Sequence, residues 1–150
     1  MCSPKGRSYS FRTSLLLCLA AVAVQACGTS PTRVEAQVVA AADVNEGRPV
    51  VLRLYELKTT GSFEGADFYS IFDREAATLG GDLLAREELN LQPGQQQRVE
   101  RATAPDTQYL GVVAAFRSID QANWRATYPL KAEKTNKIKI HLGPNAVSIR

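Results

Sequence analysis

Val50–Lys58 reads VVLRLYELK. Val50, Leu52 and Leu54 fall on one parity, and Arg53, Tyr55 and Leu57 on the other, which is the period of a β-strand. Pro49 opens the segment, where a missing amide donor is tolerated. Tyr55 and Leu57 on the second face indicate that it is partly covered as well.

Working outward from it, Val34–Ala42 (VEAQVVAAA) reads as a preceding strand with Val34, Ala36, Val38 and Ala40 sharing one face. Asp43, Val44, Asn45, Glu46, Gly47 and Arg48 break the pattern between the two. On the other side, Thr59–Gly65 reads as a polar connection. The period then changes: Phe68, Ile71, Phe72, Ala76 and Leu79 form one helical stripe. Asp67 suits the N-cap, Gly80 and Gly81 stop the helix, and Asp73 or Arg74 is a candidate break.

From Asp82 onward the chain is strands and turns. Leu83–Leu91 alternates, and Gln92-Pro93-Gly94 suits a tight turn. Gln95–Ala102 is polar apart from Val99 and is expected at an edge or facing solvent. Thr107–Arg117 (TQYLGVVAAFR) is apolar on both parities and is expected to be central. Trp124–Leu130, Lys137–Leu142 and Ala146–Arg150 complete the set, with Ile138, Ile140 and Leu142 inward and Lys137, Lys139 and His141 outward. Short strands at regular turn spacing indicate a mainly β two-sheet sandwich, with a helical insertion after the second strand.

The first residues are of another kind. Lys5, Arg7 and Arg12 precede the apolar run LLLCLAAVAVQA, which ends at Ala26 against Cys27. This is the layout of a secretory signal, too short for a membrane span of ~20 residues. Val24-Gln25-Ala26-Cys27 resembles the lipobox of bacterial lipoproteins, in which the cysteine thiol takes a diacylglycerol and cleavage frees its amine for another acyl chain. The expected organisation is a lipoprotein signal peptide over 1–26, an acylated terminus and tether over 27–33, and a sandwich domain over 34–150. Two or more acyl chains hold a protein to a membrane, where one holds it only marginally. Gly28 after the cysteine is not the usual inner-membrane retention signal, so by bacterial lipoprotein rules the outer membrane is expected.

Removing that segment changes the charge. Three of the 18 basic residues lie in it, so those that remain balance the 15 acids. A neutral domain argues against nucleic acid as partner. Cys2 and Cys18 leave with the signal and Cys27 carries lipid, so no disulfide is available and the fold rests on its apolar core.

Catalytic equipment is sparse. His141 lies at an outward parity, as an ordinary surface histidine would, and no His, Cys and carboxylate cluster has metal-ligand spacing. Asp67 is explained as a cap, and the adjacent Glu87 and Glu88 point to opposite faces of a strand. Ser62, Ser70, Ser118 and Ser148 have no evident base. The expectation is a binding protein, with no enzyme activity, cofactor or metal. Its loops are the natural contact surfaces, at Asp43–Arg48, Thr59–Gly65 and Ser118–Asn123; the bland alternative for the first is a solvated hairpin turn.

The residues also resemble a known family. Arg53-Leu54-Tyr55-Glu56-Leu57, Phe63, Ala66-Asp67-Phe68, Leu79, Asp82-Leu83-Leu84 and Pro93-Gly94 follow the pattern of the TssJ lipoproteins of bacterial type VI secretion systems. Gly111-Val112-Val113-Ala114-Ala115-Phe116-Arg117 and Trp124-Arg125 continue it in order, so the resemblance spans nearly all of the chain after Cys27. Glu56 departs from it, since relatives often carry glutamine there, and the Asp43–Arg48 loop is short. The resemblance implies a transthyretin-like sandwich with an added helical segment. It implies an outer-membrane anchor facing the periplasm that binds the periplasmic domain of TssM, with TssL in the same complex, through the loop between the first two strands. A second possibility is a periplasm-facing lipoprotein with a transthyretin-like ligand-binding or chaperone role, which a deep apolar pocket between sheet and helix would favour.

Overall fold

Eight strands form two four-stranded sheets in the computed structural model, which describes residues 28–150. One sheet has the order β4-β1-β7-β8, comprising Gln96–Ala102, Arg33–Ala40, Thr135–Leu142 and Val147–Ile149. The other has the order β3-β2-β5-β6, comprising Leu83–Leu91, Val50–Leu57, Tyr109–Ala115 and Arg125–Pro129. All pairings are antiparallel except β1 with β7. The sheets face each other over one apolar core. Val34, Ala36, Val38 and Ala40 meet Val50, Leu52 and Leu54 there, with Val112, Ala114, Ile138, Ile140 and Leu142.

VVLRLYEL forms β2, and its second parity is covered more fully than its composition suggests. Tyr55 and Leu57 are fully buried in a second cluster with Phe63, Ile71, Leu79 and Val113. Helical segments supply that cover. The helix Phe68–Leu79 starts at Asp67, whose carboxylate accepts the Ser70 amide at 2.9 Å. It kinks at Arg74, and Gly80 ends it with φ +52°. The molecule is thus three layers, with one outer face clad by helix and the other left open.

The expected positions of the strands hold. β5 lies between β2 and β6, and the polar β4 is an edge strand with Val99 turned inward. Pro93 and Gly94 (φ +75°) make the turn that carries the chain from one sheet to the other. Two local readings need correction. Thr59–Gly65 is more than a polar connection: Gly61–Gly65 is a short helix whose Phe63 is fully buried. The segment after β1 is not a hairpin turn, because β1 and β2 belong to different sheets. It is a crossover, and β1 ends at Ala40 two residues before the expected end.

Candidate interaction surface

The crossover is built around a left-handed turn. Asn45 (φ 48°, ψ 44°), Glu46 (φ 59°, ψ 38°) and Gly47 (φ 74°) are consecutive left-handed residues. Asparagine and glycine tolerate that region; glutamate does so at a cost. Asn45 holds the turn in place. Its amide donates to Pro144 O at 3.0 Å, its Nδ2 donates to Pro49 O at 2.8 Å, and its Oδ1 accepts the Arg117 amide at 2.7 Å. Val44 is fully buried in the main core.

The six expected contact residues therefore divide. Val44 and Asn45 face inward and fix the backbone; Asp43, Glu46, Gly47 and Arg48 face solvent. Glu46 Oε1 accepts from Ser118 Oγ at 3.2 Å, and its other oxygen lies 3.8 Å from Arg117 Nη1. The expected loops Asp43–Arg48 and Ser118–Asn123 thus lie side by side at one end of the sandwich. Thr59–Gly65 lies on the helical side instead, where Phe63 O and Ala66 O accept from Arg125 Nη1 at 3.0 and 2.6 Å.

The chain enters the sandwich at the other end. Thr32 O accepts from the Thr103 amide at 2.9 Å, and Thr32 Oγ1 accepts from the Glu133 amide at 2.9 Å. β1 then runs the height of the domain, eight residues, or about 25 Å at ~3.3 Å per residue. Entry point and crossover turn occupy opposite ends. Cys27 and the segment 1–26 lie outside the described residues.

Two charge clusters tie the layers together. Arg53 Nε reaches Glu88 at 2.7 Å, its Nη1 donates to Phe72 O at 2.6 Å, and its guanidinium carbon stands 3.7 Å from the Phe72 ring centre. Beside it, burial pushes the Tyr55 hydroxyl up to about 12; Arg53 opposes this and the Glu75 carboxylate at 3.2 Å adds to it. Near the entry end, Glu56 is 2% exposed. It accepts from Arg101 Nε at 3.0 Å, the Ala104 amide at 2.7 Å and Thr107 Oγ1 at 3.2 Å. Sequence reasoning noted Glu56 only as a departure. Its parity with Leu52 and Leu54 placed it on the core face, a signal that a buried charge with a partner was needed there.

Among the described residues no group of three His, Cys, Asp or Glu could hold a metal ion, and no helix is long and apolar enough to cross a membrane. His141 is exposed on the open sheet face. Glu87 and Glu88 turn opposite ways, to Arg101 at 2.7 Å and Arg53 at 2.7 Å. The space between β2, β5 and the helices is filled by Tyr55, Phe63, Ile71 and Leu79, where a pocket would have favoured the second reading.

Comparison with protein families matches residues 32–145 to the type VI secretion lipoproteins, the family that includes SciN, VasD, EvfM and TssJ. The chain belongs to the TssJ family. The solved structures agree. The T6SS lipoprotein TssJ1 of Pseudomonas aeruginosa is 39% identical, with a TM-score of 0.77 over 80% of this chain and 95% of that one. Serratia marcescens Lip, a membrane-bound component of the type VI secretion system, is 25% identical with a TM-score of 0.74, over 80% of this chain and 96% of that one. A chain in a structure described as the T6SS protein TssM C-terminal domain from EAEC is 25% identical with a TM-score of 0.66, over 79% of this chain and 98% of that one. A comparison with curated proteins finds no match. TssJ is a family of type VI secretion lipoproteins, and the sandwich with its helical insertion is the TssJ fold.

Proposed function

We propose that this TssJ-family lipoprotein anchors the type VI secretion trans-envelope complex to the outer membrane, on its periplasmic face. Signal residues 1–26 direct export, Cys27 carries the lipid, residues 28–31 form the tether rather than the whole of 27–33, since Thr32 and Arg33 already belong to the sandwich, and the domain binds the periplasmic domain of TssM, with TssL in the same assembly. The role is structural, without catalysis.

The observation that carries this reading is the family match over residues 32–145. The TssM-described structure in which a similar chain occurs supports the partner. The geometry supports the division of labour: the chain enters at one end of β1 and the crossover turn projects from the other. Exposed Asp43, Glu46 and Arg48 are the contact residues we assign on that turn, with Gly47 shaping it and Val44 and Asn45 holding it.

Two experiments test the halves separately. Cys27→Ser should release the protein from the outer-membrane fraction, and continued retention there would sink the anchor. Charge reversal at Asp43, Glu46 and Arg48 should weaken binding to a TssM periplasmic fragment, because all three side chains are exposed. Unchanged affinity would remove this turn from the interface.

A further inference from the structure

The tether is shorter than the sequence suggests, because its last residues are already part of the fold. Thr32 is held by the Thr103 and Glu133 amides at 2.9 Å each, and the Arg33 amide donates to Lys134 O at 2.9 Å. Only Gly28, Thr29, Ser30 and Pro31 separate Cys27 from this clamp. That length spans at most ~17 Å fully extended, and a flexible chain of this size averages ~12 Å. The polar layer of one bilayer leaflet is itself ~5–8 Å thick. A lipid on Cys27 would leave the entry end of the sandwich almost no room to stand clear of headgroups.

The surface presented there is suited to such a neighbour. The connections 103–108 and 130–134 lie beyond the strand ends on either side of Thr32. Together with Thr29–Thr32 they line an open cleft of about 750 Å³. Pro31, Pro105, Pro129 and Ala132 give it an exposed apolar rim. Beside its lining residues in the chain are exposed Arg33, Lys131 and Lys134, while Asp106 and Glu133 belong to the lining itself. None of these three cations has a carboxylate within salt-bridge distance among the described residues. Small apolar groups interleaved with free lysines fit the boundary between phosphate groups and acyl chains, where long cationic side chains reach the phosphates.

We infer that the entry end of the sandwich, formed by connections 103–108 and 130–134, docks on the phospholipid headgroups, so that β1 stands away from the membrane plane with the crossover turn outermost. The inference rests on acylation of Cys27 and goes beyond it: a lipid anchor fixes a distance, whereas this surface fixes an orientation. The mature chain offers a direct way to measure it, since Cys27 is its only native cysteine and is consumed by lipid.

The test uses the acylated full-length product in vesicles of phosphatidylethanolamine with one-quarter phosphatidylglycerol. A fluorophore is placed at Ala132→Cys or at Asp120→Cys, and quenching by a headgroup-attached quencher is compared. Intact mass first establishes the lipid on Cys27. Quenching is expected to be several-fold stronger at position 132 than at 120. Lys131→Glu with Lys134→Glu should reduce it. A twenty-residue Gly/Ser insertion after Gly28, which raises the mean span to roughly 25 Å, should reduce it further. Equal quenching at both positions in lipidated protein would overturn the docking surface and leave the anchor standing. A product without lipid at Cys27 would overturn both.

Discussion

Arg101 and Glu56 meet across the two sheets, Nε to Oε1 at 3.0 Å, with Glu56 on β2 and Arg101 on β4. The carboxylate is almost wholly buried and also holds the Ala104 amide and Thr107 hydroxyl. Arg101 in turn reaches Glu87 on β3 at 2.7 Å. Glu56→Ala would leave the Ala104 amide without its acceptor and Arg101 with Glu87 as its remaining carboxylate, so it is expected to cost about 1–3 kcal/mol in urea unfolding. Glu56→Gln keeps an acceptor for Ala104 and leaves Arg101 its bond to Glu87. It should cost less than half as much.

Gly111 lies beneath Phe63. A β-carbon there would come within 2.9 Å of Phe63 Cζ and 3.0 Å of Leu57 Cδ1. Gly111→Ala is therefore expected to destabilise by about 1–3 kcal/mol through overpacking. Combining it with Phe63→Leu should cost less than the two single changes added together, because the second change removes the colliding atoms. Additive losses in a double-mutant cycle would show that the strain lies elsewhere.

The crossover turn separates structural from contact residues. Asn45→Ala leaves the Arg117 amide without its acceptor and should cost about 1–3 kcal/mol. Gly47→Ala puts a β-carbon on a left-handed residue and should cost about 1–2 kcal/mol. Asp43→Ala touches nothing buried and should stay within about 0.5 kcal/mol of the parent. Unfolding midpoints in urea distinguish the three.

Tyr55 gives the domain an alkaline limit. Its hydroxyl ionises near 12 in the folded protein and near 10 when unfolded. The folded state therefore holds the proton more tightly. The stabilisation is present in full below pH ~10 and is lost as pH rises toward ~12. Absorbance titration should show one tyrosine lagging behind the others, and Tyr55→Phe should remove that late step together with its share of the alkaline fall in stability.

The elements that could be read from sequence are those whose signal is local. β7 carries a clean two-residue alternation, β2 and β5 are apolar runs of strand length, and Asp67 with Gly80 bracket a helix by their own chemistry. The Gly61–Gly65 helix escaped because five residues with glycine at both ends show no period, and one phenylalanine is its only apolar mark. The crossover turn was located but its shape was not. Its left-handed backbone is held by Pro144 O and the Arg117 amide, roughly 70 to 100 residues away in the chain. Glu56 is a similar case: its parity was visible, but Arg101, Ala104 and Thr107 were too far along the chain to be paired with it.

β1 is flanked on both sides, antiparallel to β4 and parallel to β7, over nearly its whole length. The chain enters at Arg33 and leaves toward the crossover turn after Ala40. A tensile load between a lipid at one end and a partner at the other would run along this single strand. Its ladder hydrogen bonds lie broadly across that direction, so the load would shear both ladders together and could not open them one bond at a time. Loaded in that way, the domain would resist as a mechanical link along the axis that joins its two ends.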